Sequence, residues 1–264
     1  MNNNIHETYE QAKKWIMEAG QKIRLKMNEP LEIETKSGRN DLVTKLDKEI
    51  EQFFASRIQE KYPHHRMIGE EGYGDHVTDL KGTVWIIDPI DGTMNFVHQQ
   101  RNFAISVAVY HDGLGVIGCI YDVMADNFYY AIAGEGAYKN DERLPLLNQE
   151  RTLEGTMLAC NHFWLCTNKL VTYESMEKLV RATRGVRTYG SATLEFAYVA
   201  EGVLDAYMSM RLAPWDIAAG MILVNEVGGV TTTIYGEKIN LLSQGPILTS
   251  NVKIHREIIE YIKS

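Results

Sequence analysis

The sequence predicts a layered α/β protein in which two sub-domains share one core. Three textures carry that prediction: helical periodicity over residues 5–61, short β-rich runs from 65 to 140, and alternating helical and strand signals beyond 145. A chain of 264 residues corresponds to about one to two domains and buries roughly 70–75% of its unfolded surface. Hydrophobic residues make up 45% and charged ones 23%, a balance that excludes disorder, collagen-like repeats and a coiled coil.

The elements follow in order. Ile5, Tyr9, Ala12, Ile16, Ala19 and Ile23 recur every three to four residues, an amphipathic helix that ends before Asn28-Glu29-Pro30. Residues 31–40, with Ser37-Gly38, read as a mobile loop carrying Lys36. A second helix is predicted from Leu42 to Lys61, closed by Pro63, with Leu46, Ile50 and Ile58 in its apolar stripe. Strands are predicted at 66–68, 84–87, 103–110, 116–121 and 128–133. Their connections, His111-Asp112-Gly113 and Met124-Ala125-Asp126-Asn127, suit hairpins and an antiparallel meander. Helices are then expected at 170–182, 192–201, 217–226 and 254–263, with strands at 206–210 and 247–249. The boundary between sub-domains is placed at 145/146.

The charge sum is 27 − 35 = −8. With no Lys/Arg cluster, no nucleic-acid surface is evident, and an anionic substrate requires intervening cations. Three cysteines, at 119, 160 and 166, give neither a metal-ligand spacing nor an even count for disulfides; Cys160 and Cys166 are expected as buried thiols. The start, MNNNIHETYE, is polar and lacks the apolar region of a secretory signal. The longest apolar run, Phe103–Tyr110, is too short to span a bilayer. A cytoplasmic location without membrane contact is expected. The histidines, including His64-His65, are scattered and read as structural, and Gly134-Glu135-Gly136 as a turn.

The chemistry-bearing feature is carboxylates at sharp structural transitions. Strand Trp85-Ile86-Ile87 runs into Asp88-Pro89-Ile90-Asp91-Gly92-Thr93. Two acids three residues apart at the exit of a buried strand converge on a point outside the sheet. Gly92 allows close backbone approach, Thr93 offers a hydroxyl, and a helix starting there presents free N–H groups to an anion. Read singly, Glu70-Glu71 also fit a solvated acidic turn, Asp216 an N-cap, and Asp41, Thr44 and Asp47 a polar helix face. Taken together, oxygen-only donors suit a hard cation, Mg²⁺ rather than zinc, which would let a phosphate dock among carboxylates. Asp91-Gly92-Thr93 does not complete the haloacid-dehalogenase-type phosphatase signature, because Pro89 occupies the nucleophile position. The acids also miss the EF-hand spacing.

Five segments, in order, resemble the inositol monophosphatase family of lithium-sensitive, Mg²⁺-dependent sugar-phosphate phosphatases. They are 41–47 (DLVTKLD), 68–72 (IGEEG), 85–97 (WIIDPIDGTMNFV), 190–192 (GSA) and 215–220 (WDIAAG). The resemblance covers essentially the whole chain and implies the αβαβα sandwich of the inositol monophosphatase/fructose-1,6-bisphosphatase type. It implies that Glu70, Asp88 and the carbonyl of Ile90 hold a first Mg²⁺ and that Asp88, Asp91 and Asp216 hold a second. Glu70 also serves a weaker third. It further implies that Thr93 with Asp47 activates the attacking water, that Glu71 supports from outside, and that Gly92, Thr93, Gly190, Ser191 and Ala192 contact substrate. A flap carrying Lys36 and a homodimer complete the expectation. Metals about 3.5–4 Å apart clamp the attacking and leaving oxygens of an in-line displacement.

One position departs from the family. Seven residues before Asp216, where family members carry a glutamate that grips substrate hydroxyls, this chain has Ser209, followed by Met210-Arg211. The substrate range therefore widens from inositol phosphate to sugar phosphates, the 2′-phosphate of NADP or 3′-phosphoadenosine 5′-phosphate, with Arg211 favouring a second anionic group. The competing class is a metal-gated interaction module without catalysis. Complete ligand and dyad positions favour the enzyme.

Overall fold

Five layers alternate helix and sheet, each placed by the period of its apolar residues. The computed structural model describes residues 2–27, 33–35, 42–166 and 168–263. The outer layer holds α1 (Asn2–Lys26) and α2 (Lys45–Lys61). Tyr9, Ala12, Ile16, Ala19 and Ile23 of the first pack with Leu46, Ile50, Phe54 and Ile58 of the second. Between them, β1 (Ile33–Thr35) pairs antiparallel with β2 (Leu42–Thr44). Two expectations are corrected here: 33–35 is strand, and the helix starts at Lys45. Thr44 is extended (φ −111°) and caps α2, its N–H donating to Asp47 Oδ2 while its hydroxyl accepts from the Asp47 N–H, a reciprocal pair that fixes the start. Lys36 and Asp41 lie outside the described residues.

The first sheet orders β3 (Arg66–Gly69), β4 (Thr83–Asp91), β5 (Ala104–His111), β6 (Leu114–Asp122), β7 (Asn127–Ile132), β8 (Gly136–Lys139) and β9 (Glu142–Arg143) as consecutive neighbours. The meander is antiparallel from β4 onward, but β3 and β4 run parallel, which overturns the all-antiparallel expectation. A two-residue turn joins β5 to β6, with Asp112 (φ 49°) and Gly113 (φ 77°) both left-handed, as hairpin twist requires. Alternation places Trp85, Ile87, Ile105, Val107 and Val109 against α1 and α2. Val84, Ile86, Ala104, Ala108 and Tyr110 face the opposite way.

That opposite face packs on α5 (Ala192–Glu201) and α6 (Pro214–Glu226), whose far sides meet the second sheet. Both are apolar nearly all round, as helices buried on two faces are. The second sheet contains β10 (Met157–Cys160), β11 (Gly185–Arg187), β12 (Ala206–Leu212), β13 (Val230–Thr232) and β14 (Gly245–Ser250), ordered β11-β10-β12-β14-β13. β11, β10 and β12 are parallel; β14 and β13 are antiparallel additions. α4 (Tyr173–Ala182) and α7 (Val252–Lys263) cover the outside, with Met176, Leu179, Ile254 and Ile258 on Leu158, Cys160, Met208 and Leu248. The connection after Arg143, which includes the expected boundary, carries no regular element until Leu153. No helix among the described residues is long and apolar enough to cross a membrane. All three cysteines are free, with Cys119 and Cys160 buried. Cys166 is exposed beside the short turn His162–Leu165, contrary to expectation.

Candidate active site

β4 does not end at Ile87 but runs through Asp91. Asp88 pairs with Ser106 and Asp91 with Ala104, so Pro89 and Ile90 together oppose one residue of β5. In an unbroken strand residues three apart face opposite ways. The extra residue of this bulge returns both acids to one side, and Pro89 has no N–H to lose from the ladder. The Ile90 N–H turns back to Asp88 Oδ1 at 3.0 Å. Gly92 follows at φ 89° as the N-cap of α3 (Thr93–Gln99). A Cβ there would stand 3.2 Å from Asn102 O, Gly190 O and Ser191 Cβ, so glycine lets three chain segments meet.

α6 brings the third acid. Pro214 opens its first turn, and Asp216 receives the Ala213 N–H on Oδ2 at 2.7 Å, so it sits inside the helix and reaches back, where the sequence reading allowed a bare cap. The Ser106 hydroxyl donates to Trp215 O at 3.4 Å and ties β5 to this turn. One carboxylate oxygen each from Asp88, Asp91 and Asp216 lies within 4.8 Å of the others. Asp88 and Asp91 are 1% and 8% exposed. Burial, and then the charges of Glu70, Asp91, Asp216 and Asp47, hold the Asp88 carboxyl well above the usual carboxylate range. Glu70 stands outside the triplet of oxygens. The parallel register Gly69–Ile87 nevertheless sets it beside Asp88, where it is the foremost charge acting on that group.

Asp47 forms the second cluster. Its Oδ2 accepts the Thr44 N–H at 2.9 Å and the Thr44 hydroxyl, which leaves Oδ1 to receive the Thr93 hydroxyl at 3.3 Å. Thr93 Oγ also lies 3.1 Å from Ile90 O. Asp47 is buried, so the polar-face reading does not hold for it. Burial outweighs the Thr44 bonds and pushes its pKa up to about 7, with Glu71 and Glu70 adding to the rise.

The third cluster is the turn before α5. Asp91 Oδ2 accepts the Ser191 hydroxyl (2.5 Å), the Thr193 N–H (2.7 Å) and the Thr193 hydroxyl (2.6 Å). Burial raises Asp91 against these bonds. Gly190 is left-handed at φ 79°. Asn95 pins the turn by donating from Nδ2 to Tyr189 O (2.7 Å) and Asn102 O (2.8 Å). Glu195, also buried, accepts the Tyr189 N–H at 2.7 Å; burial pushes it up to about 7. Ser209 is buried on β12 and shares the face of Tyr207. Arg211 is exposed at the end of that strand.

Sequence reasoning missed Glu51, Asn95, Thr193 and Glu195. Only Glu51 left a local signal: it stands four residues after Asp47, on the same helical face, and is fully buried. The others act through partners distant in sequence.

Buried carboxylates gathered where a bulged strand meets two helix starts make an all-oxygen donor set suited to a hard cation. The model of the inositol monophosphatase family matches residues 4–264, and the chain belongs to that family. It is 54% identical to the inositol-1-monophosphatase of Bacillus subtilis (strain 168) over 257 residues, 97% of each chain. The solved structure of SaIMPase-II bound to 2′AMP superposes with a TM-score of 0.89 at 43% identity, covering 97% of this chain and 95% of that one. An IMPase/NADP phosphatase complexed with Mg²⁺ and phosphate gives 0.91 at 28% identity, covering 99% and 97%.

Proposed function

We propose that this protein hydrolyses phosphate monoesters, inositol monophosphate and related sugar phosphates, by Mg²⁺-dependent in-line attack of water without a phosphoenzyme. The observation that carries the reading is the gathering of Asp88, Asp91 and Asp216 oxygens within 4.8 Å in a buried setting. Such a cluster is costly unless cations hold it, and its all-oxygen donors fit Mg²⁺. Glu70, Asp88 and the Ile90 carbonyl would hold one ion and Asp88, Asp91 and Asp216 a second, with Glu70 serving a third. When bound, Mg²⁺ supplies charge neutralisation and acidifies water.

The chain's own groups do the rest. The Thr93 hydroxyl donates a hydrogen bond to Asp47 Oδ1, which leaves its oxygen lone pairs to take a proton of the attacking water while its own proton passes to Asp47. A carboxylate whose pKa is pushed up to about 7 is matched to accept that proton near neutrality. Glu71 supports the pair from outside. The N–H groups of Gly92 and Thr93 orient the phosphate, and Gly190, Ser191 and Ala192 line the leaving-group side with Ser209 and Arg211. The molecule is a cytoplasmic homodimer, each chain divided at 145/146.

A second reading, hydrolysis of the 2′-phosphate of NADP or of 3′-phosphoadenosine 5′-phosphate, draws support from a relative solved with 2′AMP bound, from another that is an IMPase/NADP phosphatase, and from exposed Arg211 two residues after Ser209. Phosphate release from inositol 1-phosphate, NADP and 3′-phosphoadenosine 5′-phosphate, with and without Mg²⁺, separates the two. Absence of turnover on every ester would sink the enzyme and leave the interaction module.

A further inference from the structure

We propose that Glu51 is a positioning residue that sets the Glu70-Glu71 loop for metal binding; this rests on the reading of Glu70 as a Mg²⁺ ligand. Glu51 lies on α2 one turn after Asp47 and is 0% exposed. Oε2 accepts the Glu71 N–H at 2.6 Å, and Oε1 accepts the Tyr73 N–H at 2.8 Å. Both carboxylate oxygens are thereby spent on the backbone of one loop.

The loop is shaped around that carboxylate. β3 ends at Gly69, so no sheet ladder holds the backbone of Glu70 and Glu71. A Cβ at Gly69 would lie 2.4 Å from Glu51 Cδ, and only glycine lets the carboxylate come this close. Gly72, at φ 83°, turns the chain so that the Glu71 and Tyr73 N–H groups reach the same acid. Glu51 thus substitutes for the missing ladder and fixes Glu70 one residue beyond the Gly69–Ile87 pairing, beside Asp88. One helix face then serves two jobs: Asp47 takes the Thr93 hydroxyl, and Glu51 holds the loop that completes the acid cluster. An outer-shell partner of a ligand commonly changes metal affinity by about 10–100-fold.

The test is calorimetric titration of Mg²⁺ into wild type, Glu51→Gln and Gly69→Ala, with phosphate release measured on the same samples. Glutamine keeps one acceptor and aims an N–H at a backbone donor. Gly69→Ala leaves Glu51 chemically intact but displaces its carboxylate. Both variants should weaken Mg²⁺ by about tenfold while kcat at saturating Mg²⁺ stays within about threefold of wild type. A variant that melts lower yet binds Mg²⁺ like wild type would overturn the proposal, since Glu51 would then only stabilise the fold. If Glu51→Gln does not fold, Gly69→Ala decides alone by the same criterion. Wild type that binds no Mg²⁺ would instead overturn the reading of Glu70 on which the proposal stands.

Discussion

The two sides of the acid cluster are held by different means. Asp88 and Asp91 ride on β4, which pairs with β3 as far as Ile87 and with β5 at both acids, so their backbone is fixed by the ladder. Glu70 and Glu71 follow the last paired residue of β3, and the turn 189–191 precedes α5. There the backbone hangs on buried side chains: Glu51 on one loop, Asn95 and Glu195 on the other. The sheet can place acids against one another despite repulsion because breaking register would cost a whole ladder. A loop needs a dedicated acceptor for each N–H. Substitutions on the strand should therefore damage chemistry and spare architecture. Those on loop anchors should shift metal affinity first.

The largest effect is expected at Asp88, which the proposed function gives to two ions. Asp88→Asn should lower kcat/KM at least about 10³-fold while circular dichroism is unchanged. The melting temperature without Mg²⁺ should hold or rise, because asparagine removes a carboxyl whose ionisation is opposed by burial and by its acidic neighbours. A collapsed fold would show that the ladder does not hold this strand independently of its charges.

Thr93→Ala should cost roughly 10²-fold in kcat with Mg²⁺ affinity nearly unchanged. The hydroxyl bonds to Asp47 and the Ile90 carbonyl and is given no place as a strong metal ligand. Steady-state kinetics at several Mg²⁺ concentrations separates the two quantities, and a near-normal kcat would contradict the water-activating role.

pH sharpens the comparison further. Asp47 is raised from 3.8 to about 7, and Asp88 and Asp91 are raised as well. Between the unfolded and folded values the native state binds more protons than the unfolded one, so metal-free stability falls as pH rises from about 4 to about 7. Protons compete with Mg²⁺ for the same oxygens, so Mg²⁺ should bind about tenfold more weakly at pH 6 than at pH 8. Melting curves in chelator and in millimolar Mg²⁺ at both values check this: the stabilisation by Mg²⁺ should be larger at pH 8.

The smallest expected effect is one of specificity. Ser209→Glu should shift the ratio of kcat/KM for inositol 1-phosphate over NADP by about tenfold toward the inositol ester. A carboxylate accepts bonds from vicinal hydroxyls and repels a second phosphate. An unmoved ratio would show that Ser209, buried beside Tyr207, does not face the leaving group.

What the sequence disclosed follows the same division. Long periodic elements such as α1 were legible because burial repeats over many turns. So were Asp88, Asp91 and Asp216, which sit at abrupt changes of texture. The bulge was not, because Pro89-Ile90 becomes an insertion only relative to β5. Leu42–Thr44 continued the helical period of α2, and only the Thr44–Asp47 cap stops it, although Thr-x-x-Asp was visible as a start signal. β10, β11 and β13 are three or four residues long, too short to show a period. Thr193, Glu195 and Asn95 gain their meaning from partners in other segments, which no local spacing reveals.

The central claim is that the Asp88–Asp91–Asp216 cluster is a Mg²⁺ site for phosphate ester hydrolysis. It is tested most directly by following phosphate release from inositol 1-phosphate as Mg²⁺ is removed with chelator and restored, wild type beside Asp88→Asn. The account predicts that wild-type release stops in chelator, returns with added Mg²⁺, and stays absent in Asp88→Asn at any Mg²⁺ concentration. Equal rates in chelator and in Mg²⁺, or a fully active Asp88→Asn, would contradict it.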